Sequence, residues 1–296
     1  MNVELAVIPV AGFGTRLLPT TKSQPKEMLP VGRKPVVQHV VEELTEVGMK
    51  QVLFITGPGK AAIENHFDRD ESLISKLRHS GKEELLAALE FESSGPQFFY
   101  TRQKNPLGLG HAISCARQFV GHQPFVVALG DSIIGLSKRS RVVDRMKKVY
   151  IESGAVAVVA FESVPITEVS RYGIAQPKSD GDVFEVADLI EKPHPSRAPS
   201  QLAIAARYIL SPAIFTALDQ TPPGAGGEIQ LTDAIKQLIT ANGRVMGVRL
   251  SESEKRYDIG NFESYFEAFV EFALADDELG PQLARHVAEI LRATHP

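Results

Sequence analysis

The chain has 296 residues, and 43% of them are hydrophobic, ample for a large core. Its formal net charge is −4, so no global basic field draws it to nucleic acid, and phosphate binding has to come from cations placed locally. The single cysteine, Cys115, excludes an internal disulfide and a cysteine-based zinc cluster, and no apolar run reaches the ~18 residues a membrane helix needs.

The length permits two domains or one large α/β domain. A lone thiol and the absence of a basic-then-apolar leader pattern at the N-terminus fit a cytoplasmic protein. Leu5–Pro9 is an apolar run that reads as a buried strand. It runs into Ala11, Gly12 and Gly14, where missing Cβ atoms allow a sharp turn and close approach to a ligand. Arg16, Lys22 and Lys26 follow within reach of the same loop. Glycines and cations after a first strand suit a triphosphate. No Gly-Lys-Ser/Thr follows, so this is not a Walker A loop, and Leu17 stands where a dinucleotide fingerprint needs its third glycine.

Further along, helical spacing covers residues 35–48, with Pro35 suited to the first turn and Gly48 to the C-cap. Gln51–Thr56 reads as a second strand, 60–67 as a helix, and 70–91 as one charged amphipathic helix. Residues 97–101 and 125–129 are strands on either side of a helix at 110–119. This alternation predicts a mostly parallel sheet covered on both faces, with ligands beyond the carboxyl ends of its strands. The second half is richer in strand signals, at 155–163, 172–177, 184–189 and Leu202–Leu210. Helices are expected at 211–218 and 228–241, a strand at 245–250, and two terminal helices at 262–276 and 281–293, apolar along one face.

Five motifs carry the chemistry. The first is the run GFGTRLLPTTKSQPKEMLPV from Gly12 to Val31. The second is Arg102-Gln103-Lys104 with Leu107-Gly108-Leu109-Gly110-His111. The Gln103 amide matches the N3–H and O4 edge of uracil, or else the segment is a polar loop before a helix cap. The third is Leu129-Gly130-Asp131-Ser132, with a carboxylate at a strand end that could ligate Mg²⁺ or cap a turn. The fourth is Tyr172-Gly173 with Glu191-Lys192-Pro193, a sugar and phosphate contact or a solvated surface turn. The fifth joins PPGAGGEIQLTDA (222–234), read as structural, to Arg256-Tyr257-Asp258-Ile259-Gly260-Asn261, where Asp258 is a second metal ligand or a helix N-cap. His111 reads as structural.

Together these motifs, in order over residues 3–275, resemble the signature of bacterial UTP–glucose-1-phosphate uridylyltransferases (UDP-glucose pyrophosphorylases) of the nucleotidyltransferase family. LGD at 129–131 is closer to the thymidylyltransferase relatives, whereas PPGAGxEIQLTDA is closer to the uridylyltransferases.

The resemblance implies a Rossmann-like α/β fold of glycosyltransferase-A type. Its mixed, mainly parallel sheet is flanked by helices, with a small β-rich sugar-binding part and C-terminal helices. Residues 1–275 would form the nucleotidyltransferase domain, about 1–135 nucleotide-binding and about 155–260 sugar-binding, with 276–296 a helical extension. It implies nucleotide contacts from Ala11, Gly12, Gly14, Glu27, Gln103 and Gly108, catalytic cations Arg16, Lys26 and Lys192, and sugar contacts from Gly173, Glu191 and Lys192. Asp131, and Asp258 with it, would hold Mg²⁺. The implied reaction converts UTP and glucose 1-phosphate to UDP-glucose and pyrophosphate, in a homodimer or homotetramer with no nucleic acid or membrane partner. The competing readings are a thymidylyltransferase or broad sugar-nucleotide pyrophosphorylase, and a non-catalytic nucleotide-sugar-binding regulator.

Overall fold

A computed structural model describes residues 2–89, 91–136 and 140–294. Thirteen strands run along these residues. They are β1 (Leu5–Pro9), β2 (Pro30–Val31), β3 (Lys34–Pro35), β4 (Gln51–Thr56), β5 (Gln97–Arg102), β6 (Phe125–Ala128) and β7 (Ser132–Ile134), then β8 (Ala157–Ser163), β9 (Gly173–Pro177), β10 (Val183–Glu191), β11 (Leu202–Leu210), β12 (Val245–Arg249) and β13 (Arg256–Asp258). Nine of them form one sheet in the order β5-β4-β1-β6-β11-β8-β12-β10-β9.

The sheet is mixed, and its two halves differ. β5, β4, β1 and β6 are all parallel, each reached through a crossover that carries helices. Their carboxyl ends therefore share one edge. From β11 onward antiparallel pairs dominate, with β11 antiparallel to β6, β8 and β9, and β10 antiparallel to β12 and β9.

Both faces of β1, β4 and β6 are buried, as their unbroken apolar runs require, while the edge strand β5 is half-buried. Along β1, Leu5 and Val7 enter one core with Ile113, Phe215 and Leu218, while Ala6 and Ile8 enter another with Val37, Val40 and Leu44. Side chains alternating across a strand produce that division. The helix Val36–Glu46 buries Val37, Val40, Val41 and Leu44 at helical spacing. A smaller cluster of Leu17, Leu29, Val31, Ile133, Tyr257 and Ile259 lies under the opening loop and holds it to the ribbon β7–β13.

Three helices differ from the sequence pattern. The stretch 70–91 is not one helix: Glu71–His79 ends before Gly81 at φ +68°, and 3₁₀ turns over Glu83–Leu89 precede the short helix Phe91–Ser94. The segment 110–119 divides into Leu109–Ser114 and Arg117–Val120. The helix expected from residue 228 begins at Leu231, because residues before it serve a neighbouring loop. In β11, Ala206 at φ +58° marks a bulge between Ile204 and Tyr208. The bulge turns Arg207 into the interior, where it meets Glu43 in a two-pronged ion pair (3.1 and 2.6 Å) and donates to Ser132 O (3.0 Å). No helix of the described residues is long and apolar enough to cross a membrane.

Candidate active site

Two adjoining cavities open at the carboxyl edge of the parallel strands. The first, about 510 Å³, is lined by Ala11, Gly12, Phe13, Lys26, Glu27, Gln103, Gly108, Leu109 and Asp131 among others. The second, about 700 Å³, is lined by Arg16, Lys26, Asp131, Gly173, Glu191, Lys192, Arg256 and Asp258 among others. Lys26, Leu109, Leu129, Asp131 and Glu228 line both, so the two form one continuous site. Of the residues expected at the site, Gly14 and the loop cation Lys22 line neither cavity. Gly14 has a turn-forming role instead. Its φ of +65° makes the turn behind the lining, and its carbonyl accepts from the Thr21 hydroxyl (2.8 Å).

The opening loop leaves β1 with Val10 N–H bonded to Ile55 O (2.9 Å) and descends through three 3₁₀ turns. These turns put Arg16 toward the second cavity and Lys26 at the junction. Lys26 is ion-paired to Asp131, 105 residues away in the chain. Burial opposes the Lys26 charge, but Asp131, Glu27 and Asp258 outweigh it and hold the ammonium above its usual range. Burial would likewise raise Asp131, yet Lys26 and then Arg256 prevail, and the carboxylate titrates below its usual range. Glu27 forms a buried pair with Lys60 (2.8 Å), and burial leaves its carboxyl raised. Glu27 therefore anchors the loop as well as lining the first cavity.

Asp258 reaches Asp131 through local pairing. β13 lies antiparallel to β7 with Asp258 opposite Ser132, and Ile259 N–H donates to Asp131 O (2.9 Å). Burial and the Asp131 charge push the Asp258 carboxyl up, against the pull of Arg256, Lys26 and Arg16. The N-cap of helix Phe262–Leu274 is Asn261, whose side chain accepts from Ser264 N–H (3.0 Å), so Asp258 is not that cap. No cluster of three or more metal-ligating side chains occurs among the described residues. Two carboxylates facing an open cavity fit a hard divalent cation that takes its remaining ligands from phosphate and water.

In the first cavity, the loop after β5 puts Gln103 in place, and its amide donates to Gly108 O (3.1 Å) and faces His111 Nδ1 (2.9 Å). Residues 228–230 brace this loop: Gly110 N–H donates to Ile229 O (2.8 Å), and Ile229 N–H to Leu107 O (2.8 Å). A Cβ on Gly110 would sit 2.7 Å from Ile229 O, so close approach of the two backbones demands glycine there. The structural reading of PPGAGGEIQLTDA thus has a concrete form. The run buttresses the Gln103 loop, and Glu228, Gln230, Leu231 and Thr232 then line the second cavity. Gly130 answers to packing: a Cβ there would lie 2.5 Å from Val10 Cγ1.

On the far side, β9 and β10 pair with Glu191 opposite Gly173, and Lys192 N–H donates to Tyr172 O (2.9 Å). The YG and EKP motifs are thus neighbours across one ladder. Lys192 sits at φ +45°, an uncommon backbone for a residue with a Cβ. Its ammonium stands 3.6 Å from Glu191, and its side chain is about half exposed.

The motif RYDIGN alone assigns no role to Arg256. It is buried, paired with Glu162, 3.8 Å from Asp258, and stacked over Tyr172 (4.8 Å). Its place in RYDIGN was the available signal. Arg171 and Phe13, which also line the site, carried none beyond their neighbours.

The nucleotidyl transferase family model matches residues 5–274. The UTP–glucose-1-phosphate uridylyltransferase YngB of Bacillus subtilis is 44% identical over 292 residues, covering 98% of this chain and 96% of the relative. A UTP-bound UGPase from Acinetobacter baumannii superposes with a TM-score of 0.87 at 35% identity, covering 97% of this chain and 99% of that one. A UDP-glucose pyrophosphorylase complexed with UDP-glucose gives 0.81 at 36% identity, covering 90% and 97%.

Proposed function

The chain belongs to the nucleotidyl transferase family, and on that premise we propose that it transfers UMP from UTP to α-D-glucose 1-phosphate, releasing pyrophosphate and forming UDP-glucose. The observation that carries this reading is the gathering of Arg16, Lys26, Asp131 and Lys192 around one cavity that adjoins the Gln103 cavity. Binding a finished nucleotide sugar needs no cations on the pyrophosphate side. Joining two anions does.

In this reading the uracil lies in the Gln103 cavity beside Ala11, Gly12 and Gly108, with Glu27 bracing the loop. The hexose faces Gly173 and Glu191. The sugar phosphate oxygen attacks the α-phosphorus in line and pyrophosphate leaves. No protein nucleophile is required, so the chain's work is positioning and charge neutralisation. Lys192 draws the incoming phosphate, and Arg16 and Lys26 hold the departing pyrophosphate. Mg²⁺ bound by Asp131 and Asp258 would neutralise phosphate charge between them. Arg256 limits the repulsion of the two carboxylates and fixes Asp258 through a near contact.

Residues 1–275 are read as the catalytic unit, with a nucleotide-binding part to about 135, a sugar-binding part over about 155–260, and 276–296 as an extension. The enzyme is assigned to the cytoplasm on its single thiol. Exposed Phe266, Phe269 and Val270 on one terminal helix favour a homodimer or homotetramer.

The deciding experiment is pyrophosphate release from nucleotide and glucose 1-phosphate with Mg²⁺, run with UTP and dTTP in competition. Release with clear preference for UTP is expected. A preference for dTTP would overturn the uridylyl assignment, and no release with either would leave a binding protein.

A further inference from the structure

The surroundings of Gln103 dictate which way its amide points. Nε2 lies 3.1 Å from Gly108 O and 2.9 Å from His111 Nδ1. A carbonyl oxygen only accepts, so the group facing Gly108 is the NH₂. Its other hydrogen is directed at Nδ1, which must then offer a lone pair, leaving the imidazole proton on Nε2. Both amide hydrogens are engaged. Oε1 has no protein partner among the described residues and is not among the sealed, unpartnered polar atoms. Gln103 lines the first cavity, so this oxygen is the part of the amide offered to a base.

We infer that His111 is a positioning residue for base selection: by accepting from Gln103 it holds the amide oxygen toward the base, so the site takes pyrimidines that carry N3–H and refuses those whose N3 is a bare acceptor. The inference rests on the uridylyltransferase reading, which puts the base at Gln103. Uracil donates N3–H to Oε1. Cytosine presents a lone pair at N3, and two acceptors then face each other with water excluded. The reversed amide would suit cytosine, and the Gly108 carbonyl and the His111 lone pair together disfavour it, because each would then face the amide oxygen. Thymine shares the N3–H edge of uracil, so this device does not separate UTP from dTTP. The His111 side chain belongs to Leu109–Ser114, the helix that starts from the Gly108 turn, so the base loop and its orienting group move as one piece.

Three variants and one spectrum test it, using UTP and CTP as the probes. His111→Leu removes the acceptor. Its KM for UTP should rise about tenfold with kcat nearly unchanged, and the UTP-over-CTP ratio of kcat/KM should fall about tenfold. Its KM for glucose 1-phosphate should stay put. His111→Asn, whose Oδ1 can replace Nδ1 as acceptor, should retain most of the ratio. An unchanged ratio in His111→Leu, or equal loss in both His111 variants, overturns the inference. Gln103→Ala separates the two levels: if it leaves the ratio intact, the placement of the base is wrong, whatever His111 does. If it collapses the ratio while His111→Leu does not, only the role of His111 falls. A long-range ¹H–¹⁵N spectrum of the unmodified protein reads the tautomer without any variant. Protonation at Nε2 is expected, and protonation at Nδ1 overturns the assignment.

Discussion

The half of the site on the parallel strands, which we read as nucleotide-binding, and the half on the antiparallel strands, which we read as sugar-binding, are built differently. In the first, consecutive parallel strands deliver loops to one edge, and each loop carries its motif as an unbroken run. In the second, antiparallel strands bring short motifs together across a ladder, as Gly173 meets Glu191. The cations differ in the same way. Lys26 is mostly buried and paired to Asp131, whereas Lys192 stands about half exposed beside Glu191. Rigid, charge-matched geometry on the nucleotide side meets a more open, solvent-screened geometry on the sugar side. On the proposed reading, positioning of the triphosphate is prepaid in folding, while the sugar phosphate would be held by a cation still partly in water.

This contrast can be broken by experiment. The largest effect is expected from Lys26→Ala, which removes one preorganised donor and leaves Asp131 and Asp258 to repel each other. Its kcat should fall between a hundredfold and a thousandfold, roughly 3–4 kcal/mol, in a pyrophosphate-release assay. Lys192→Ala should cost less, about a hundredfold or ~3 kcal/mol in kcat/KM for glucose 1-phosphate, with the KM for UTP unmoved. Equal losses, or a rise in the UTP KM, would erase the distinction between the halves.

The two halves meet at the buried pair of Glu43 and Arg207, whose guanidinium also holds Ser132 O beside the Asp131 turn. Glu43→Ala strands a buried charge and should cost about 3–5 kcal/mol of stability, read by denaturant unfolding. Gly110→Ala should spread the base loop from residues 228–230 and raise the UTP KM several-fold, with the glucose 1-phosphate KM unchanged. The smallest effect lies away from the site. Arg33 and nearby N–H donors hold Asp276 down at about 2, so its contribution is complete above the ordinary carboxylate range and disappears as pH falls toward 2. Arg33→Ala should flatten that acid-limb slope in a stability-versus-pH series and leave activity at neutral pH alone.

The parallel half was readable because contiguous apolar runs and contiguous motifs are both local signals. Strands β1, β4, β5 and β6 fall where the apolar runs lie. What could not be read depended on contacts between distant segments. Residues 228–230 look helical alone, yet Ile229 bonds to Leu107 and Gly110, and the helix starts only at Leu231. Gly81 interrupts a pattern whose amphipathic spacing continues on both sides of it. At Asp258, cap and metal ligand were both open on sequence alone. The β7–β13 pairing and the Asn261 cap remove the cap. Arg256 went unassigned because its partner, Glu162, lies in a strand with no motif of its own.

The ribbon of β7 and β13 has a consequence for biosynthesis. Asp131 sits beside Asp258 only once residues 256–258 have emerged from the ribosome and laid themselves along 132–134. A nascent chain can complete its parallel strands long before it owns a paired carboxylate site. On the proposed reading, a translation product cut short ahead of β13 lacks Asp258 and should release no pyrophosphate from UTP.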